Sequence, residues 1–236
     1  MHVLPQKAQE DNMQREYNGH GFFQFAIQNG RTRELWCLKP NESGINTICM
    51  VMEVSSKRVR TKGEREKVVF TGVIADYSAK LPFVSWSERV EKNKIVQIEN
   101  AYVKRWKGQL TLYIGKNTQL YEREIDFPDY AELRKPKRRT IAEILDCKGA
   151  FDVVIEGDIV SSSTKGNRMV LDDGTGTVLL DSGDLETGIS FGTPVNVIGN
   201  VIEQSEHEYV LIAEKVIVKD EELVITDLKN FLARYT

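Results

Sequence analysis

The chain has 236 residues, of which 41% are hydrophobic and 28% charged, with a formal net charge of −3. That apolar share excludes wholesale disorder, and no apolar run approaches the roughly 20 residues a bilayer-spanning helix needs. The net charge hides an asymmetry: residues 31–125 carry 18 Lys and Arg against 11 Asp and Glu, and residues 126–236 carry 12 against 21, so a basic half is joined to an acidic half.

In chain order, residues 1–30 read as a polar tail rich in Gln and Glu, with one apolar patch, Gly21 to Gln28, that has the makings of an added clasp strand. The start, MHVLPQKAQEDNMQREYNG, has no basic-then-apolar leader pattern, so a cytoplasmic, nucleoid-associated location is expected. Arg31 to Lys39 reads as a short lead-in helix or turn that stops at Pro40. Ile45 to Arg60 is a long first strand, apolar at its start and basic at its end. A charged hairpin loop, Thr61 to Glu66, follows.

Four β-rich runs come next: Val68 to Asp76, Leu81 to Trp86, Ile95 to Lys104 and Gln109 to Ile114. Ser87 to Asn93 is expected to be a short helix or turn between the second and third of these. Asp126 to Thr140 reads as a connector, with two prolines and the cluster Lys135-Pro136-Lys137-Arg138-Arg139; the cluster is either solvated or a source of extra phosphate contacts.

The plan then repeats. Thr140 to Leu145 is a second helical lead-in. Phe151–Ser161, Asn167–Leu171, Val178–Leu180, Pro194–Val201 and Tyr209–Val218 are five further strands, and the turn Asp172-Asp173-Gly174-Thr175-Gly176 joins the second to the third. The tail puts Ile225, Leu228, Phe231, Leu232 and Tyr235 on one face of a helix capped by Thr226 or Asp227. That face either covers its own barrel or pairs with another chain.

Five strands with a helical element between the third and fourth is the order of an OB-fold, a partly open Greek-key barrel that binds ligands on its strand 2–3 face and its 1–2 and 4–5 loops. The fold expected is therefore mostly β: two tandem OB-folds with short helices and a C-terminal helix. The divisions are 1–30, the tail; 31–125, a nucleic-acid-binding barrel; 126–139, the linker; and 140–236, a structural or partner-binding barrel.

Candidate site residues follow from chemistry. Trp86 and Trp106 sit at strand ends, where a flat ring faces a ligand more readily than a core. Trp106 lies in Lys104-Arg105-Trp106-Lys107-Gly108, among three cations. Phosphates take cations and bases take aromatic faces, so this interleaving points to single-stranded nucleic acid. Lys57, Arg58, Arg60, Lys62, Arg65 and Lys67 are further candidate phosphate contacts beside Lys104, Arg105 and Lys107.

Nothing supports catalysis, a cofactor or a metal. His2, His20 and His207 stand apart, with no nucleophile or metal-ligand partner at useful spacing. Phosphate-loop and dinucleotide fingerprints are absent, and Asp172-Asp173 belongs to a turn signature. Cys37, Cys49 and Cys147 are odd in number and form no C-x-x-C pair, so a zinc ribbon is excluded; all three are expected to be buried, reduced thiols.

From Glu34 to about Glu122 the chain resembles the OB-folds of archaeal replication protein A. The resemblance rests on Glu34-Leu35 with Lys39-Pro40, Gly44-Ile45-Asn46, Val51 to Val54, Asp76, Trp86, Ile98-Glu99-Asn100-Ala101-Tyr102-Val103, and Trp106-Lys107-Gly108 with Leu110-Thr111-Leu112. It implies a non-enzymatic single-stranded DNA-binding protein of replication, repair or recombination, with base stacking on Trp86 and Trp106 and little sequence preference. It also implies partner or self-association through the C-terminal helix. Phe70 falls where some family members carry a third stacking aromatic, and from the residues alone it reads equally as a core residue.

The family turn Asp-x-Thr-Gly is replaced by Asp76-Tyr77-Ser78-Ala79, so a different strand 2–3 turn is expected in the first half. The second half keeps that turn but has Gly183 and Ser205 near the tryptophan positions, so it keeps the fold without the platform. Two alternatives remain from the residues alone: an RNA- or tRNA-binding module of a larger assembly, and an adaptor whose second barrel and C-terminal helix dock partner proteins.

Overall fold

The computed structural model describes residues 32–60, 66–86, 89–162, 168–183 and 189–219. The clasp patch Gly21 to Gln28, Lys62, Arg65 and the C-terminal segment lie outside the described residues. By contacts the chain divides into two compact units, residues 1–104 with 111–135, and residues 105–110 with 136–236.

The first sheet contains β1 (Ser43–Arg60), β2 (Glu66–Ala75), β3 (Lys80–Ser85), β4 (Ile95–Trp106), β5 (Gln109–Ile114) and β6 (Gln119–Glu122). Its order is β1-β2-β3-β5-β4-β6, and β1 also pairs with β4, which closes a five-stranded barrel. β3 and β5 run parallel, with Val84 opposite Tyr113, and the other pairings are antiparallel. β1 serves both sides of the barrel because it is long enough: its first half pairs with β4 and its second half with β2, with a bulge between Val51 and Glu53. Inward alternation puts Val51, Ile74, Ile98, Leu112 and Ile114 in the core. Gly72 is required where it stands, because a Cβ there would lie 1.9 Å from the Glu53 carbonyl oxygen.

The second sheet repeats the arrangement. It contains β7 (Lys137–Arg138), β8 (Ala150–Ser162), β9 (Arg168–Asp172), β10 (Thr177–Asp181), β11 (Pro194–Ser205) and β12 (Glu208–Val218). The order is β11-β12-β10-β9-β8-β7, closed by β11 with β8. Its core holds Ile155, Ile159, Leu171, Leu180, Val197 and Leu211. The two barrels have OB topology, as the strand order predicts.

Several expectations are corrected. The connector is not simply solvated. It contains the helix α1 (Tyr130–Arg134), capped by the Asp129 side chain, which accepts from the Glu132 N–H, and α1 buries Leu133. Leu133 packs with Met52 and Ala75, and Phe127 and Tyr130 pack on the same cluster. The Lys80 ammonium donates to the Arg134 carbonyl. The basic cluster is partly structural as well: Lys137 and Arg138 form β7 beside β8, and Arg138 pairs with Glu156.

The lead-in of the first barrel is a single 3-10 turn, Leu35–Cys37, and that of the second is α2 (Ile141–Asp146), closed by a capping box between Thr140 and Glu143. Between β3 and β4 the expected helix or turn is a turn among the described residues, at residues 92–93 with Asn93 left-handed (φ 63), and Val90 is buried. Cys49 is buried as expected, but Cys37 is exposed at the end of the 3-10 turn and Cys147 is half-buried.

The turn after β2 keeps the aspartate hydrogen bonds of its counterpart after β9 and differs in backbone, since Gly174 is left-handed (φ 80) and Tyr77 in the same place is not. Asp76 accepts from Leu35 N–H (2.8 Å), Ser78 N–H (2.8 Å), Ser78 O–H (2.6 Å) and Ala79 N–H (2.8 Å). Asp173 accepts from Ile141 N–H (2.7 Å), Thr175 N–H (2.9 Å), Thr175 O–H (2.7 Å) and Gly176 N–H (3.1 Å). A serine hydroxyl does the work of threonine, and neither following position needs the glycine. In each unit one carboxylate ties the lead-in to the barrel.

Candidate nucleic-acid interface

Both candidate tryptophans are exposed, Trp86 at 41% and Trp106 at 61%. An exposed ring keeps its faces open to a stacking partner, and covering it gains roughly 25 cal/mol for each Å² of apolar surface removed from water. Trp86 directly follows β3, and its N–H donates to the Ile114 carbonyl at the end of β5 (3.2 Å). Trp106 is the last residue of β4, at the mouth of a tight hairpin whose central residues, Lys107 (φ 50) and Gly108 (φ 80), are left-handed.

The outward alternation of the sheet supplies what lies along these strands. Thr71 stands opposite Val84, and Val84 opposite Tyr113. Tyr113 and Tyr102 stack, with ring centroids 5.2 Å apart and planes inclined by 10°. The Lys104 ammonium sits 5.4 Å from the Tyr102 ring. Burial, and then the neighbouring Tyr102, push the Tyr113 hydroxyl above its ordinary range, so it stays a neutral donor. Tyr102 and Tyr113 were not among the sequence candidates, although each falls on an outward position of its strand. The signal that would have found them is the register of β4 against β5, which no spacing within either strand reveals.

Phe70 is placed differently. It pairs with the fully buried Ser85, so it shares that residue's face of the sheet, opposite to the face of Thr71 and Val84. It lines a recess of about 360 Å³ with Val54, Ser56, Arg89 and Lys92.

The candidate cations separate into two groups. Lys57, Arg58, Lys67, Lys104 and Lys107 are exposed and make no ion pair with any other described residue. Arg60 lies 3.9 Å from Glu66, an exposed and weak pairing. Arg105 is engaged within the second unit: its guanidinium pairs with Glu203, donates to the Gly108 carbonyl (3.0 Å) and the Lys148 carbonyl (2.6 Å), and lies 5.9 Å from the Tyr209 ring. In the second barrel Ser182 and Gly183 follow β10 where Trp86 follows β3, and Ser205 opens the β11–β12 hairpin where Trp106 opens the other. That hairpin carries Glu203, Glu206 and Glu208. Among the described residues no group of three or more His, Cys, Asp or Glu is arranged to hold a metal ion, and no helix is long and apolar enough to cross a membrane.

Strand order and barrel closure define an OB-fold protein. No family model matches the chain. A stretch of 100 residues, 41% of the chain, is 26% identical to the single-stranded DNA binding protein Ssb of Saccharolobus solfataricus, over 68% of that protein. Among solved structures, an OB domain from Thermoplasma acidophilum is 20% identical with a TM-score of 0.38, over 42% of this chain and 92% of its own. The replication factor A related protein of Methanobacterium thermoautotrophicum is 17% identical with a TM-score of 0.35, over 40% and 92%. A replication protein A heterotrimer bound to single-stranded DNA is 13% identical with a TM-score of 0.36, over 86% and 55%.

Proposed function

We propose that this protein is a non-enzymatic single-stranded DNA-binding protein acting in replication, repair or recombination, and that its first barrel is the binding module. Bases stack on Trp86 and Trp106, and the Tyr102–Tyr113 pair with Lys104 provides a further aromatic and cationic surface on the same sheet. Lys57, Arg58, Lys67, Lys104 and Lys107 track the phosphates. Such binding reads little sequence, because every base has a π-face.

The observation that carries this reading is the exposure of the two indoles at strand ends, beside cations that make no ion pair with a described residue. The relative named for single-stranded DNA binding supports it. Stacking on an aromatic side chain is worth about 1–3 kcal/mol per base in OB-folds that bind single strands.

The test is a tryptophan fluorescence titration with oligo-dT, oligo-U of equal length, and duplex DNA. Single-stranded DNA is expected to quench Trp86 and Trp106, leaving Trp36, whose N–H is held by Ser78 Oγ in the lead-in, as the unquenched remainder. Trp106→Ala is expected to weaken binding by about 1–3 kcal/mol. Undiminished affinity and quenching in that variant rule this platform out, and tighter binding of oligo-U than of oligo-dT would make RNA the ligand.

A further inference from the structure

The two barrels correspond residue by residue at one place on their outer surface, and they differ in what covers it. In the first, Val51 N–H donates to the Lys94 carbonyl (2.9 Å) and Asn93 N–H donates to the Val51 carbonyl (2.8 Å). In the second, Ile159 N–H donates to the Thr193 carbonyl (3.1 Å) and Gly192 N–H donates to the Ile159 carbonyl (2.7 Å). Both strands then bulge, between Val51 and Glu53 and between Ile159 and Ser161. Met52 therefore corresponds to Val160, and Lys92 to Phe191. Val73, opposite Glu53, corresponds to Val170, opposite Ser161.

In the first unit this surface is covered. Met52 is 3% exposed beneath Phe127, Tyr130 and Leu133, and the Lys92 ammonium lies 5.5 Å from the Tyr130 ring. In the second unit the same surface is open: Val160 is 37% exposed and Phe191 74%. Phe191 is the most exposed large hydrophobic side chain among the described residues.

The covering segment of the first unit has a counterpart in sequence. It reads Phe127-Pro128-Asp129-Tyr130-Ala131-Glu132-Leu133: an apolar residue, the helix-capping aspartate, then apolar residues one and four places later. After the last strand of the second unit the chain reads Ile225-Thr226-Asp227-Leu228-Lys229-Asn230-Phe231, with the same pattern in the same order. The chain also leaves the two barrels at equivalent points, since Arg123 N–H donates to the Ile95 carbonyl and Lys219 N–H to the Pro194 carbonyl, each at 2.9 Å. From Arg123 to Phe127 is four residues, and from Lys219 to Ile225 is six. The two extra residues add up to about 7 Å of reach and remove none.

We propose that residues 220–236 dock on their own barrel, seating the Ile225, Leu228 and Phe231 positions over Val160, Val170 and Phe191 as Phe127, Tyr130 and Leu133 seat over Met52 and Val73. Phe191 then serves as an apolar anchor for the C-terminal segment. The docking is independent of the DNA-binding reading above, and neither stands on the other.

Hydrogen exchange on the full chain tests it, with Phe191→Glu and Phe231→Glu as reciprocal probes and sedimentation as the companion measurement. Phe231→Glu is expected to speed exchange around residues 189–193 at least tenfold, and Phe191→Glu to do the same for residues 225–235. The chain should sediment as a monomer, and exchange around Trp86 should be unchanged in both variants. Phe191 is outside the core, so its substitution leaves the barrel able to fold. Exchange of residues 225–235 that is indifferent to Phe191→Glu overturns the proposal. So does a dimer that Phe231→Glu dissociates, because the segment would then pair with a second copy.

Discussion

Asp76 and Asp173 do the same mechanical work in different surroundings, and pH separates them. Asp76 is fully buried; burial pushes its carboxyl above the ordinary range and outweighs the hydrogen bonds from Ser78, Leu35 and Ala79. At Asp173 burial also pushes upward, but the hydrogen bonds from Ile141, Thr175 and Gly176 together outweigh it and the carboxyl ends below its ordinary range. The signs of the linkage follow. The depressed Asp173 contributes stability that is present above the unfolded-state value near 4 and is lost as pH falls through its folded value. The raised Asp76 contributes stability that is full below that unfolded value and is lost as pH rises through its folded value. Thermal unfolding between about pH 3 and 7 should therefore show the cost of Asp173→Asn shrinking with acid and the cost of Asp76→Asn growing with acid. Parallel trends would mean that the two carboxylates are equivalent after all. At neutral pH, Asp76→Ala leaves the Leu35 and Ala79 N–H groups without their acceptor in a buried site and should cost on the order of 3 kcal/mol.

The elements that matter most beyond the strands are the short ones, and α1 is the clearest case. Leu133 is fully buried against Met52 and Ala75, so Leu133→Ala should cost about 2–5 kcal/mol in the first unit. A chain of residues 31–135 should accordingly melt higher than one of residues 31–125, which lacks Phe127, Tyr130 and Leu133; equal melting temperatures would show that α1 does not hold the barrel. The ten barrel strands were legible because short β-rich runs bounded by turn residues are a strong signal, even where the run is as short as Val178–Leu180. α1 was not, because five residues make little more than one turn of about 3.6 residues, too few for the apolar period to repeat, and its apolar positions look like loop residues until Met52 is seen beneath them. β6 and β7 are short and polar, and only their partners make them strands. The turn at Asp76 differs in backbone as its sequence implies, but its hydrogen bonds match those at Asp173 because Ser78 supplies the hydroxyl of the threonine. The tryptophan positions were legible from their strand ends and polar neighbours, whereas the Tyr102–Tyr113 stack depends on cross-strand register.

Across the molecule, charge divides more sharply than fold does. Both units are closed barrels, yet the Lys and Arg excess is confined to residues 31–125, and the β11–β12 hairpin is acidic. A polyanion therefore meets attraction on one barrel and repulsion on the other, which argues for binding through the first. Among the described residues, the candidate cations that make no ion pair set the expected number of phosphates neutralised. Lys57, Arg58, Lys67, Lys104 and Lys107 make five, and each single-strand phosphate neutralised contributes about −0.7 to the slope of log K against log salt concentration, so full engagement gives a slope of about −3.5. Lys104→Ala should flatten that slope by about 0.7 and weaken binding to every sequence alike. Arg105→Ala should leave the slope where it is, because its guanidinium is already paired with Glu203. Titrations of an oligo-dT at several salt concentrations measure all three slopes. A slope near zero would remove phosphate tracking from the proposed function, and an Arg105→Ala slope flatter by about 0.7 would show that Arg105 leaves Glu203 to bind the strand.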